Sequence, residues 1–330
     1  MDLMKTLSRL VSAFGPSGAE GEVSQVIEEL AQPYVDEIVR DTMGNLICRK
    51  KGSGPRIMFS AHMDSIGLVA THINEKGFVH VGALGGVSAK EVVYTPVRFQ
   101  NGTCGLICAK EGADIDKLKV SDLLIDIGAA DGEAAKKLVQ VGDAAVYDTP
   151  VRTAGDRVIA PYLDNRVSCL VLLMAMEQLV GADNDLYFVF SVQEEVGTRG
   201  AKTAAWAIDP EYGIAVDVTG VDDEPGGKHQ ASALCGKGAA VKIMDRSVIC
   251  TPALVEKLLA LAEEKDICAQ RDVLQMGGTD AGPIQVTRAG VYAGGISIPC
   301  RYTHTPTEMV DLRDVRACVE LVAAFAHSEL

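Results

Sequence analysis

The stretch Tyr187–Gly200, YFVFSVQEEVGTRG, decides how the rest of the chain is read. Tyr187 to Val192 is an unbroken run of aromatic, β-branched and small residues, the composition of a strand buried on both faces. Gln193, Glu194 and Glu195 follow, then a Gly-Thr-Arg-Gly turn and a small-residue run, Ala201 to Ile208, that reads as helical. Two carboxylates at the end of a buried strand are costly unless a cation meets them. Neighbouring residues of a regular strand point to opposite faces, so the strand must end here if both glutamates serve one site. Taken alone, the dipeptide reads more readily as a solvated strand end with two ordinary surface acids than as part of a site. The rest of the chain decides against that.

At 330 residues the chain is long enough for one large domain and a smaller one. A composition 48% hydrophobic and 23% charged is that of a globular protein. The formal charge of -14 excludes nucleic acid and anionic membrane as partners, because those surfaces are bound through basic patches and no basic run is present. The N-terminal MDLMKTLSRLVSAFGPSG has helical spacing at Leu3, Leu7, Leu10, Val11 and Phe14 but no continuous apolar core, so it is not a signal peptide. The longest apolar run, Leu170 to Met176, is too short for a bilayer. Nine cysteines, scattered over strand-like and helix-like positions, read as thiols of a reducing cytoplasm.

Working outward, Arg56 to Ala61 is a second buried strand, and it delivers His62-Met63-Asp64 at its end. Ligand crevices of open α/β sheets lie beyond the carboxyl ends of the strands. The spacing lets Asp64 accept the second ring N–H of His62. Asp164 precedes the apolar helix Val167 to Val180, where an aspartate is either an N-cap or oriented to ligate a cation. Asp217 is the lone charge inside the apolar strand Tyr212 to Val218, a position that demands a partner. His304 stands just past a strand, Gly294 to Pro299. The glycine-rich MGGTDAG, Met276 to Gly282, could bring backbone close to a site. His229 and His327 have no acidic companion that singles them out.

Residues 66–154 differ in character: glycine is frequent and short strands succeed one another, with one clear helix at Asp131 to Val139. This is the pattern of a small β-rich barrel or sandwich. It starts just after His62, so it reads as an insertion into an α/β domain formed by residues 1–65 and 155–330. Its histidines, His72 and His80, read as structural or surface groups.

Two imidazoles and three carboxylates, His62, Asp164, Glu195, Asp217 and His304, can hold two borderline divalent cations if one carboxylate bridges. Such a pair clamps a water and lowers its pKa toward about 7. Glu194 is left over, suited to carry a proton from that water to a leaving group.

The segments AHMDSIGLV, APYLDNRVSCL, SVQEEVGTRGA, VDVT, MGGTDAG and ISIPCRYTHTP, in this order over nearly the whole chain, resemble the glutamyl aminopeptidase family of dinuclear metallopeptidases. Its members are also called tetrahedral aminopeptidases, and some carry a cellulase label. The resemblance implies a Zn-exopeptidase-like three-layer α/β/α domain with an inserted β dimerisation domain, and a hollow tetrahedral dodecamer built from dimers. It implies that His62, Asp164 and Asp217 hold one cation and Asp164, Glu195 and His304 the other, zinc first, with cobalt or manganese as alternatives. Glu194 then matches the catalytic glutamate, and Asp64 the partner of His62. The chain departs from the family pattern at Thr303 and Thr305, which flank His304, and in a shortened insert around Gly82 to Val93 and Cys108 to Val120.

The expected activity is metal-dependent removal of N-terminal residues from short peptides. A carboxypeptidase or deacylase on the same scaffold is the nearest alternative, with Arg199 or Arg301 to hold a terminal carboxylate. Glycoside hydrolysis by Glu194 and Glu195 would need two carboxyls about 5–9.5 Å apart flanked by aromatic platforms; only 5% of residues are aromatic, with Trp206 the single tryptophan. A metal-binding protein without turnover would have no use for Glu194.

Overall fold

A computed structural model describes residues 1–227 and 231–330. His229 lies outside the described residues. The chain opens with α1 (Leu3–Ser12) and α2 (Gly21–Ala31), then strands β1 (Glu37–Arg40), β2 (Leu46–Lys50) and β3 (Arg56–His62). Six strands close into a barrel: β4 (Gly67–Ile73), β5 (Val79–Leu84), β6 (Pro96–Phe99), β7 (Cys104–Ala109), β8 (Leu123–Asp126) and β9 (Ala144–Tyr147), with short helices α3 (Ala89–Val92) and α4 (Gly132–Lys136) between them. The chain then returns to the first sheet through β10 (Arg152–Ala154), β11 (Arg157–Ala160), α5 (Leu163–Gln178), β12 (Asp185–Ser191), α6 (Arg199–Ile208) and β13 (Tyr212–Gly220). It finishes with β14 (Ala239–Met244), α7 (Pro252–Glu264), β15 (Ala269–Val273), α8 (Ala281–Gln285), β16 (Tyr292–Arg301), β17 (Glu308–Asp311) and α9 (Leu312–Ala326).

The large sheet has 11 strands in the order β1-β2-β12-β3-β13-β16-β17-β11-β10, with β14 and β15 branching from β16. Its centre, β12-β3-β13-β16, is parallel. Both faces are covered, as the apolar runs require. Leu186, Phe188 and Phe190 of β12 and Ile57 and Phe59 of β3 join the core under α1, α2, α5, α7 and α9. Val189 and Met58, one residue out of phase, pack with Ala201, Ala204, Ala205 and Ile208 of α6 and Ile284 of α8. The result is the three-layer α/β/α arrangement, and it explains why β3, β12 and β13 are legible as continuous apolar strings rather than alternating ones.

The barrel strands fall close to where glycine-punctuated apolar runs place them. The helix expected at Asp131 to Val139 is shorter, α4, started by the Asp131 carboxylate accepting the Ala134 N–H at 2.8 Å. His72 and His80 are cross-strand neighbours on β4 and β5, rings 5.5 Å apart, away from the site. His327 is exposed at the end of α9. No helix among the described residues is long and apolar enough to cross a membrane.

Candidate metal centre and active site

Parallel pairing lines up the carboxyl ends of the central strands. His62 closes β3 and pairs in register with Ser191, so the turn carrying Glu194 and Glu195 begins beside it. Asp217 lies in β13 on the other side of β3, and His304 follows β16, the neighbour of β13. Asp164 enters from the start of α5, which packs across β3 and β13. Five side chains spread over 243 positions of sequence thus meet at one sheet edge.

The Asp164 carboxylate stands between the two histidines. Its Oδ1 is 3.1 Å from His62 Nε2, and its Oδ2 is 3.3 Å from His304 Nε2. Asp217 Oδ1 is 3.6 Å from His62 Nε2, and Glu195 Oε2 is 3.2 Å from His304 Nε2. Glu194 Oε2 is 4.0 Å from His62 Nε2. Donor atoms of His62, Asp164 and Glu195 all lie within 4.8 Å of one another.

Local backbone makes this possible. Asp164 does not cap α5: its own dihedrals are non-helical (φ -77°, ψ 100°), which turns its carboxylate toward the imidazoles, and the peptide to Asn165 is cis. Gln193 and His304 both adopt left-handed backbone, with φ of 53° and 64°. Such dihedrals are costly for residues with a Cβ and persist where surrounding contacts enforce them. For His304 the contact is Glu308, which is buried and accepts the His304 N–H at 2.7 Å and the Asp164 N–H at 2.9 Å, one on each oxygen.

Asp64 is fully buried, but its carboxylate serves the glutamates more directly than the histidine. It accepts the N–H of Glu194 at 2.9 Å, the N–H of Glu195 at 3.3 Å and the hydroxyl of Ser17 at 2.6 Å. Nδ1 of His62 is 3.5 Å from Oδ1 of Asp64 and 3.1 Å from the Asp64 carbonyl oxygen, its hydrogen-bond partner.

The donor set fits divalent cations. A neutral His62 ring that donates from Nδ1 turns the Nε2 lone pair toward Asp164 and Asp217, and such groups repel unless positive charge lies among them. Burial opposes a charge on His62, yet Asp217 and Asp164 hold its pKa well above the ordinary value. Burial likewise works against charge on His304, but Asp164 and Glu195 raise it to about 12. Burial pushes Asp217 up to about 7, Glu195 upward and Glu194 well above the usual carboxylate range. Asp164 is lowered despite its burial because both histidines bond to it. A buried acid cluster with this hunger for positive charge, made of imidazole nitrogen and carboxylate oxygen, matches borderline divalent ions. Glu195 Oε1, buried without a hydrogen-bond partner, is a further acceptor that a cation would satisfy.

Several residues at this site escape sequence reading. Glu308 begins a four-residue strand and gives no local sign of its two contacts. Asp280, in the MGGTDAG loop, is buried and takes hydroxyl bonds from Ser60 at 2.7 Å and Ser191 at 2.6 Å, which places that loop under the sheet edge. The barrel also reaches the site: a Cβ on Gly86 would lie 2.6 Å from His304 Nδ1, and one on Gly85, whose φ is 78°, would lie 3.0 Å from Glu195 Cβ. The consecutive glycines in ALGGVS were the available signal. Gly86→Ala is expected to push the His304 ring aside and lower metal affinity about 10–100-fold, the range for disturbing a group that orients a ligand; titration with zinc against a competing chelator reads this directly. Arg301 is held by Asp223 in two bonds of 2.8 Å, and Arg199 donates to Gln193 at 3.1 Å, so both guanidiniums suggested for a terminal carboxylate are already engaged.

Known proteins share this fold and much of the sequence. A relative from Acetivibrio thermocellus is 44% identical over 97% of both chains, and the lysyl aminopeptidase of Pyrococcus furiosus is 34% identical over 98% of this chain and 95% of that one. The solved structure of aminopeptidase APDkam598 from the archaeon Desulfurococcus kamchatkensis superposes with a TM-score of 0.95 at 38% identity, covering 99% of this chain and 95% of that one. Pyrococcus horikoshii TET1 peptidase, which can assemble into a tetrahedron or a large octahedral shell, superposes with a TM-score of 0.91 at 30% identity, covering 99% and 100%. The family model described as M42 glutamyl aminopeptidase matches residues 44–321, and with the relatives on either side of that match the chain belongs to the M42 glutamyl aminopeptidase family.

Proposed function

We propose that this chain is a metal-dependent aminopeptidase that removes N-terminal residues from short peptides. Two divalent cations, zinc first and cobalt or manganese as alternatives, would be held by His62, Asp164 and Asp217 on one side and by Asp164, Glu195 and His304 on the other. When bound, such ions supply Lewis acidity toward a carbonyl oxygen and bring the pKa of a bound water to about 7. The observation that supports the reading is the placement of Asp164, one oxygen toward each histidine, as a shared ligand would require.

Glu194 carries the proton. Its Oε2 lies at the rim of the cluster, 4.0 Å from His62 Nε2, and its side chain is 12% exposed, so a substrate bound at the cluster can reach it. There it takes a proton from the attacking water and returns it to the departing amine, a task that general bases perform at close range. The first side chain of the peptide would enter the adjoining cavity of about 640 Å³, whose lining includes Val221, Leu274, Met276, Tyr302 and Thr305. The same family assignment supports a homo-oligomer, a tetrahedral dodecamer of dimers joined through the barrel of residues 66–154, and unpaired thiols at all nine cysteines support work in a reducing cytoplasm.

Treatment with a chelator is expected to abolish release of p-nitroaniline from aminoacyl p-nitroanilides, and zinc, cobalt or manganese to restore it. N-acetylating the substrate is expected to block the reaction, since a free amine defines an aminopeptidase. Turnover of acetylated peptides with none of the free ones would replace this reading by a deacylase or carboxypeptidase-type hydrolase.

A further inference from the structure

The turn carrying Glu194 and Glu195 leaves the sheet at Ser191, so its backbone N–H groups need partners from elsewhere. Four consecutive ones find them on side chains of the first 65 residues. Val192 N–H donates to Asn45 Oδ1 at 3.0 Å, Gln193 N–H to Glu20 Oε1 at 3.2 Å, and those of Glu194 and Glu195 to Asp64 at 2.9 and 3.3 Å. The second of them, Gln193, is the residue with left-handed backbone, and its dihedrals set the direction in which Glu194 departs from the strand.

Glu20 is an odd residue for its place. It stands at the N-cap of α2, where Ser, Thr, Asp or Asn is preferred, and its side chain makes no capping bond. Instead the carboxylate is buried, and Oε1 accepts both the Gly18 N–H at 2.8 Å and the Gln193 N–H. Ser17, three residues earlier, bonds Asp64 at 2.6 Å. The Gly15–Glu20 turn is itself fixed by the buried Arg166, which donates to Gly15 O at 3.0 Å, and by the Ser17 N–H to Ser65 O bond at 3.1 Å.

We infer that Glu20 is a positioning residue for the reaction: by holding the Gln193 N–H it locks the left-handed turn that aims Glu194 into the site, with Ser17 bracing Asp64 beside it. The inference rests on the reading of Glu194 as proton carrier. Without an acceptor on Gln193, the turn relaxes toward right-handed dihedrals, and Glu194 swings away while the sheet and the histidines stay in place.

The test compares Glu20→Gln, which keeps an acceptor oxygen, with Glu20→Leu, which removes it at similar volume. Should the leucine variant not fold, Glu20→Asp, one methylene shorter, takes its place. Glu20→Leu is expected to lower kcat about 10–100-fold with little change in KM, as for other residues that orient active groups, and Glu20→Gln to restore most of it. In a Glu194→Gln background the same change is expected to cost nothing further, because both alterations act through one group. Amide hydrogen exchange on the metal-free protein is expected to quicken in the 192–198 segment of the leucine variant and not in β3 or β13. Equal kcat losses in both backgrounds, or unchanged exchange in that segment, overturn the inference. A wild-type enzyme with no aminopeptidase activity ends the reading of Glu194, and the exchange experiment still decides whether Glu20 anchors the turn.

Discussion

Glu194→Gln is expected to lower kcat by about 10²–10⁴-fold while leaving metal content near that of the wild type. The magnitude is that of removing a general base. The sparing of metal follows from position: Glu194 approaches only His62, at 4.0 Å, whereas each proposed ligand oxygen lies within 3.6 Å of an imidazole nitrogen. The amide keeps the size of the side chain and leaves the N–H bond to Asp64 untouched, so the turn should hold its shape. Activity on free-amine peptides that survives this change would remove Glu194 from the mechanism. Loss of bound metal along with activity would make it a ligand instead.

Asp164→Asn should reduce activity at least as far, and for a different reason. A shared carboxylate contributes an oxygen and a negative charge to both cations, and an amide nitrogen turned toward either one repels it. Metal analysis of the purified protein is therefore expected to show loss from both positions. Asp217→Asn and His304→Asn, each on one side only, are expected to retain about one ion per chain. Circular dichroism and Tm serve as controls for folding. If Asp164→Asn keeps one tightly held ion while His304→Asn loses both, the assignment of the bridge is wrong.

The outline of the fold is legible because burial on both faces leaves a plain mark. β3, β12 and β13 are strings of apolar residues that no solvated helix or half-exposed strand would tolerate, and α9 reads from Leu312 to Ala326 because its apolar positions recur at the helical period. Strand ends are less legible where charge is involved. β12 begins at Asp185, two residues before the run read from Tyr187, because Arg49 on the neighbouring β2 neutralises that carboxylate with two bonds of 2.9 Å. Nothing near Asp185 in sequence announces a partner so far away.

The candidate ligands were legible for a related reason. A charge or imidazole at the end of a buried strand, or inside one like Asp217, is unfavourable by itself, so its presence signals compensation. The groups that orient the ligands and Glu194 carry no such mark. Glu308 looks like the first residue of an ordinary edge strand, Glu20 like one acid of an amphipathic helix, and Gly86 like loop punctuation.

Sequence alone thus determined which residues must leave water and which polar groups among them need a compensating partner, because the cost of burying a side chain is a property of the side chain and its immediate neighbours. Tertiary structure alone decided how those groups face one another: that Asp164 lies between two histidines, that Asp64 clamps the glutamate turn, and that Glu20 and Glu308 hold left-handed backbone in place. Those relations depend on hydrogen bonds spanning from 4 to 173 positions of chain, and directional contacts of that kind exist only once the sheet has set its register.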